Sequence, residues 1–291
     1  MTHRLTALAP LALPFVAILA ACSSASHAPR LTESALTAPG FGSAATFAVL
    51  GGATVTNTGP STVNGDMGVS PGTAITGFPP GIETGGVMHQ ADAVALRAQR
   101  DVTTAYDGLA AAPCTRTLSG VDLGGLTLGE GVYCFASSAQ LTGTLTLDAK
   151  GKADAVFIFN TVSTLTTASN ASVVMINGGT GCQVFWKVGS SATIGTNTIF
   201  VGSIVALTSI ALQSGASVDG RALARNGEVT MDDNHVALAA CGATDAGTDS
   251  GIVADSGVGD AGPGDAGPSA DTGGTDTAPP PCDPDMEGDC P

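Results

Sequence analysis

The 291-residue sequence predicts a mainly β fold: a discontinuous parallel β-helix, or β-solenoid, with one long α-helix packed alongside. Three observations carry this. A short phrase of small or apolar residue, Thr and apolar residue recurs at Leu126-Thr127-Leu128, Leu145-Thr146-Leu147, Ser163-Thr164-Leu165, Ala192-Thr193-Ile194 and Val229-Thr230-Met231. Ile210-Ala211-Leu212 is a copy without Thr. The third positions are separated by 19, 18, 29, 18 and 19 residues, the near-constant step of a chain that stacks coil on coil. Composition suits narrow coils better than a thick globular core, with 40 Gly and only 4% aromatic residues. Finally, one helix-periodic segment separates an upstream copy of the phrase, Ala53-Thr54-Val55, from all the others.

The elements follow in chain order. His3 and Arg4 give a weakly positive start and Leu5 to Ala20 is apolar. Leu19-Ala20-Ala21-Cys22 then resembles a bacterial lipoprotein signal, with residues 1–21 removed and lipid attached to Cys22. Pro10 and Pro14 interrupt an apolar stretch that is short for a membrane-spanning helix. Ser23 stands where an inner-membrane retention signal would often show Asp, so the expected location is the outer membrane or cell surface. Membrane contact would be through the lipid alone, with residues 22–37 as a tether.

Residues 38–241 are expected to form the solenoid domain. Short β-type runs punctuated by Gly and Pro extend from Phe41 to about Pro80, and the stretch from Pro71 to Val87 is assigned to guarding an open end. Between His89 and Ala112, Val94, Ala98, Val102, Ala105 and Leu109 mark one apolar face of a helix, which Pro113 ends. That stripe can be buried only along the side of the coils. Ala155-Val156-Phe157-Ile158-Phe159 is apolar on both faces and therefore expected beneath this helix. In Val184-Phe185-Trp186-Lys187-Val188, Val184, Trp186 and Val188 point inward and Lys187 outward.

Without Cys22 the chain holds six cysteines, an even number suited to an oxidising compartment. Six cysteines allow fifteen pairings. Bridges are expected between Cys114 and Cys134, Cys182 and Cys241, and Cys282 and Cys290. No CxxC occurs, so neither a zinc site nor a thiol-redox site is indicated. The net charge of −15 is concentrated in residues 242–291, which hold ten Asp, one Glu and no basic residue. This tail is too poor in apolar residues to offset its ordering entropy and is expected to be disordered. It lacks the spacing of known calcium loops. The near-neutral remainder offers no basic surface for nucleic acid.

Long stretches of the domain resemble the ice-binding-like family, also labelled DUF3494. They are Phe47-Ala-Val-Leu-Gly-Gly-Ala-Thr-Val-Thr-Asn-Thr-Gly-Pro and Gly65-Asp-Met-Gly-Val-Ser-Pro-Gly-Thr-Ala-Ile-Thr-Gly-Phe. Gly131-Val-Tyr-Cys134, Val184-Phe-Trp-Lys-Val-Gly-Ser-Ser-Ala-Thr-Ile-Gly-Thr-Asn-Thr and Gly220-Arg-Ala-Leu-Ala-Arg-Asn-Gly add to the match. The resemblance implies a right-handed solenoid of triangular section, an ice crystal surface as partner, and no cofactor, metal or catalytic residue. On that implication the Thr ladder (Thr127, Thr146, Thr164, Thr193, Thr230) becomes the ice-contacting face. Thr166, Thr167, Thr196 and Ser214 stand in the neighbouring columns. The family's Thr-Ala/Gly-x-Thr/Asn pattern fits Thr167-Ala168-Ser169-Asn170, which adds Ser169, and fits Thr196-Asn197-Thr198-Ile199 only partly, adding Thr198. Oligomeric state is left open.

Two other chemistries and one other binding role compete. Gly68-Val69-Ser70-Pro71-Gly72 spells a nucleophile elbow, but Pro71-Gly72 leads into another β-type stretch and not into a helix. Asp232-Asp233-Asn234-His235 is the densest polar cluster, yet neighbours along a strand point to opposite faces, so a hydrated turn in the last coil is expected. A cell-surface adhesion or carbohydrate-binding module is the alternative function. Glycan sites usually expose aromatic platforms, and one Trp and two Tyr leave few.

Overall fold

The computed structural model describes residues 36–240. The lipid-signal region, Cys22 and most of the tether lie outside those residues, as do Cys241, Cys282, Cys290 and the acidic tail. All strand pairings are parallel, and they form three faces of a solenoid. The first face holds seven strands in the order Ala139–Leu141, Leu165–Thr167, Ala192–Ile194, Ile210–Leu212, Val229–Met231, Thr54–Asn57 and Ala74–Thr76. We call it the threonine face. A second, covered face includes Gly131–Phe135, Phe157–Thr161 and Val184–Val188, and ends at Phe47–Gly51, Asp66–Val69 and Met88–Gln90. The third face runs from Thr127–Leu128 and Thr144–Asp148 to Thr62–Asn64 and Ile82–Thr84.

The solenoid is discontinuous in sequence but continuous in space. Val229 pairs with Val55, His235 with Thr62, and Leu223 with Leu50, so the N-terminal coils stack directly on the coil ending near Ala237. The turn at Asp232-Asp233 therefore sits inside the stack, not in its last coil. Ala74–Thr76 and Ile82–Thr84 form the terminal coil. Helix α1 (Ala93–Ala111) then carries the chain back towards the other end. Its 19 residues give a length of about 28 Å, close to six strand spacings of roughly 4.8 Å.

Local chemistry fixes α1. Asp92 is its N-cap, accepting from the Ala95 N–H at 2.8 Å, and it also meets His89 Nδ1 at 2.7 Å. These bonds hold the Asp92 carboxyl below its ordinary range. His89 itself belongs to the preceding strand, not to the helix. The buried side is Ala95, Ala98, Val102, Ala105, Tyr106 and Leu109, packed on Val156, Ile158, Phe185, Val205 and Leu223 of the covered face. Val94, expected on this stripe, is 46% exposed. Ala95 takes its place because the buried arc extends over Gln99 and Tyr106, and Ala95, four residues before Gln99, lies on their side of the helix. Lys187 does point away from the coils, yet α1 covers it. It lies 5.0 Å over the Tyr106 ring, and burial pushes its pKa down. Arg225 reaches Asp107 of α1 at 3.9 Å. Arg221 donates from Nη2 to the Ala45 carbonyl at 2.8 Å.

Coil length sets the cross-section, and the cross-section sets which side chains fill it. On the threonine face the pairs Leu165–Ala192, Ala192–Ile210 and Ile210–Val229 give coils of 27, 18 and 19 residues. Tyr133, Phe159 and Trp186 stack in register through the longer coils, with ring centroids 5.4 and 3.9 Å apart. The same column continues as Ile204, Ala222, Val49 and Met67 where the coils shorten. Close packing requires this matching of volume to space.

Cys114, just beyond α1, is bonded to Cys134 with the Cα atoms 5.8 Å apart, tying the helix exit to the Gly131–Phe135 strand. Cys182 is also disulfide-bonded. For the 20-residue separation of Cys114 and Cys134, loop-closure entropy gives about 3 kcal/mol. The double variant Cys114→Ser/Cys134→Ser is therefore expected to unfold about 6–12 °C lower by circular dichroism.

Candidate functional site: the threonine face

Of the three faces, the covered one is sealed by α1. The other two differ in what they present. Residues on the third face include Thr144, Thr146 and Thr127, but also Val174, Ile176, Ile199 and Ile82, of which Ile199 is 61% exposed. It is a mixed surface. The threonine face carries none of the large exposed apolar side chains on its strands.

Register aligns the outward residues of the threonine face. The central column reads Gln140, Thr166, Thr193, Ala211, Thr230, Thr56, Thr76. Two residues earlier on each strand is a second column, Ser138, Thr164, Ser191, Ser209, Glu228, Thr54, Ala74. It follows from backbone bonds such as Leu165 N to Ser191 O, Ala192 N to Ser209 O and Ile210 N to Glu228 O. Neither column contains a register shift, whereas the Phe47–Gly51 pairing on the covered face does. Thr is well chosen for such a surface. Its β-branch restricts χ1 and it fits the pleat, so methyl and hydroxyl are held in few orientations. With seven strands the array is about 29 Å long.

The expected site residues distribute over three environments. Thr164, Thr166, Thr193 and Thr230 lie on this face. Thr127 and Thr146 pair with each other and with Val174 on the third face, so the ladder read from the sequence is two ladders. Thr164 also stands two residues off the central column, which Thr166 occupies. Thr167 and Thr198 are buried: their hydroxyls meet at 3.1 Å, and Thr167 Oγ1 accepts from the Gly195 N–H at 2.8 Å. Ser169, Thr196 and Ser214 belong to the turns between the two exposed faces. There Asn170 and Asn197 take positive φ of 58° and 55°, and Gly215 is next in the stack. The Thr-Ala-Ser-Asn pattern thus builds a corner, since Asn and Gly tolerate the left-handed conformation.

The face also carries Thr54, Thr56, Thr76, Ser138, Ser191 and Ser209, which the sequence did not place on it. Alternation in Thr54-Val55-Thr56-Asn57-Thr58 was the available signal. Its link to Thr230 needed the knowledge that the N-terminal coil stacks there. A buried network makes that seam. Ser61 Oγ donates to Asn57 Oδ1 at 2.6 Å and accepts from the Asn234 N–H at 2.9 Å, and Asn234 Nδ2 donates to the Gln213 and Ala216 carbonyls. Ser61→Ala would leave a buried donor and a buried acceptor unpaired. We expect it to cost about 2 kcal/mol, read from chemical denaturation.

At the far end, Asp122 bridges towards Gln140. Burial pushes its carboxyl up, but N–H donation from Gly124 at 2.7 Å and Thr142 at 3.0 Å outweighs this and holds it below the ordinary range. A lowered carboxylate stabilises above its ordinary pKa, and that contribution is lost as pH falls through the lowered value.

The other candidate chemistries resolve into architecture. Ser70 of the Gly68–Gly72 stretch is buried at a corner, where a Cβ on Gly72 would lie 1.7 Å from the Ala53 carbonyl oxygen. Asp233 has φ of 54°, and Asn234 is turned into the seam network. Among the described residues no group of three His, Cys, Asp or Glu side chains could hold a metal ion.

A solenoid with one helix-covered face and one regular Thr-rich face defines a class of surface-presenting β-helix proteins. Comparison with known proteins agrees. The ice-binding-like family model matches residues 49–237, and the chain belongs to that family. It is 56% identical over 200 residues to the ice-binding protein of Nostoc sp. (strain HG1), covering 68% of this chain and 74% of that protein. The crystal structure of an ice-binding protein from an Antarctic biological consortium superposes with a TM-score of 0.68 at 45% identity, covering 70% of this chain and 93% of that one. The structure of an ice-binding protein from the ascomycete Antarctomyces psychrotrophicus gives 0.67 at 40% identity, with coverage of 69% and 98%.

Proposed function

We propose that the protein binds ice through the threonine face. The observation that carries this reading is the paired columns centred on Thr166 and Thr193, uncharged and in unbroken register over four strands. Hydroxyls on such a face can join the hydrogen bonds of an ordered water layer, each as one donor and two acceptors. Methyl groups between them leave that water no competing partner. Binding that layer to the crystal needs no reaction, and no residue is assigned a catalytic role. The competing carbohydrate reading loses its usual tool: Trp186, Tyr133 and Tyr106 are all buried, at 1%, 5% and 8% exposure.

Purified protein is expected to show thermal hysteresis and to inhibit ice recrystallisation. Retention on a polysaccharide without any effect on ice would reverse the choice. Surface anchoring is part of the same proposal, supported by the Leu19-Ala20-Ala21-Cys22 pattern. A lipid on Cys22 would hold the ice-binding domain outside the cell at the outer membrane. Loss of radiolabelled fatty acid incorporation in Cys22→Ser is the direct check.

A further inference from the structure

We propose that Glu228 decides how much of the threonine face acts as one ice-contacting surface, and that its carboxylate divides the face into a working patch and an idle one. This rests on the ice-binding reading above. The strand Val229–Met231 is where charge enters the two columns: Glu228 stands two residues before Thr230, whereas Asp232 belongs to the turn that follows the strand, beyond the columns. Glu228 is exposed, and among the described residues no cation stands within ion-pair distance of it. Its neighbours in the column are Ser209 and Thr54, both uncharged.

An unpaired carboxylate holds liquid water strongly, and taking it out of water without compensation is costly. Ice cannot close over that strand while the charge remains. The stripe leaves four strands on one side, spanning about 14 Å, and two on the other, spanning about 5 Å. The four-strand patch centred on Thr166 and Thr193 is long enough to repeat against a crystal lattice. The Thr54–Asn57 and Ala74–Thr76 strands offer a single spacing and stay idle, although they present Thr54, Thr56 and Thr76. Removing the charge would join them to the larger patch.

The test is a double-mutant cycle on the full chain, read as thermal hysteresis. Glu228→Thr is expected to raise activity about twofold, in line with seven contiguous strands instead of four. Glu228→Gln, which keeps the side-chain length and removes the charge, should move in the same direction. Thr56→Tyr should change little in the native background and erase the whole gain in the Glu228→Thr background, a non-additivity that a merely structural effect would not give. The proposal is overturned if both Glu228 variants leave activity unchanged while Thr193→Tyr removes it. It is also overturned if Thr56→Tyr alone costs as much as Thr193→Tyr. If Thr193→Tyr itself leaves activity intact, the face assignment fails and this proposal with it. Unchanged unfolding midpoints for the Glu228 variants confirm that the array, and not the fold, was altered.

Discussion

Thr193→Tyr is expected to remove at least nine-tenths of the thermal hysteresis while leaving the unfolding midpoint within about 2 °C of the parent. Thr193 sits in the central column between Thr166 and Ala211, half-exposed at the middle of the four-strand patch. A Tyr ring there stands above the plane of its neighbours and holds an ice surface away from all of them. The loss is steric and not the loss of one hydroxyl, so Thr193→Ser should retain much of the activity. Thr146→Tyr is the control. It introduces the same ring on the third face, in register with Thr127 and Val174. Activity lost equally in both variants would mean that ice meets the corner between the faces, or the third face, and would refute the assignment.

The architecture was legible because the two signals behind it are local. An 18- or 19-residue spacing and a 3.6-residue stripe both survive without knowledge of the partner elements. The site was legible only in part. Thr127 and Thr146 are true stacking partners one coil apart, so their 19-residue step was genuine. The following step to Thr164 kept almost the same length while crossing from the third face to the threonine face. Nothing in a period reveals that crossing, because a coil of 27 residues contains more than one Thr phrase. The Thr54–Thr58 segment showed the Thr alternation, but its place on this face was hidden for the opposite reason. Its neighbours in space, around Thr230, are far away in sequence, and only the return path along α1 brings them together. Thr167 and Thr198 misled differently: a hydroxyl at a corner satisfies buried backbone groups, and sequence does not distinguish that from display.

Trp186→Ala is expected to give the largest loss of stability, about 4 kcal/mol, because a large buried side chain is replaced by a cavity. Trp186 is 1% exposed, its ring lies 3.9 Å from that of Phe159 and 4.9 Å from that of Phe200, and its Nε1 donates to the Val201 carbonyl at 3.0 Å. At roughly 2–4 °C per kcal/mol for a domain of this size, the unfolding midpoint should fall by about 8–16 °C. Trp186→Phe keeps an aromatic ring in the stack and loses the hydrogen bond, so about 1–2 kcal/mol is expected. Differential scanning calorimetry separates the two. The informative measurement is ice activity near 0 °C, where both variants remain folded. Trp186 lies on the covered-face strand Val184–Val188, and Thr193 lies around the corner on Ala192–Ile194. The ladder of backbone hydrogen bonds through Leu165, Ala192 and Ile210 positions Thr193 independently of that ring. Activity should therefore survive the cavity almost unchanged. A Trp186→Ala protein that is folded but inactive would mean that the aromatic stack, and not the strand ladder, keeps the threonine columns in line.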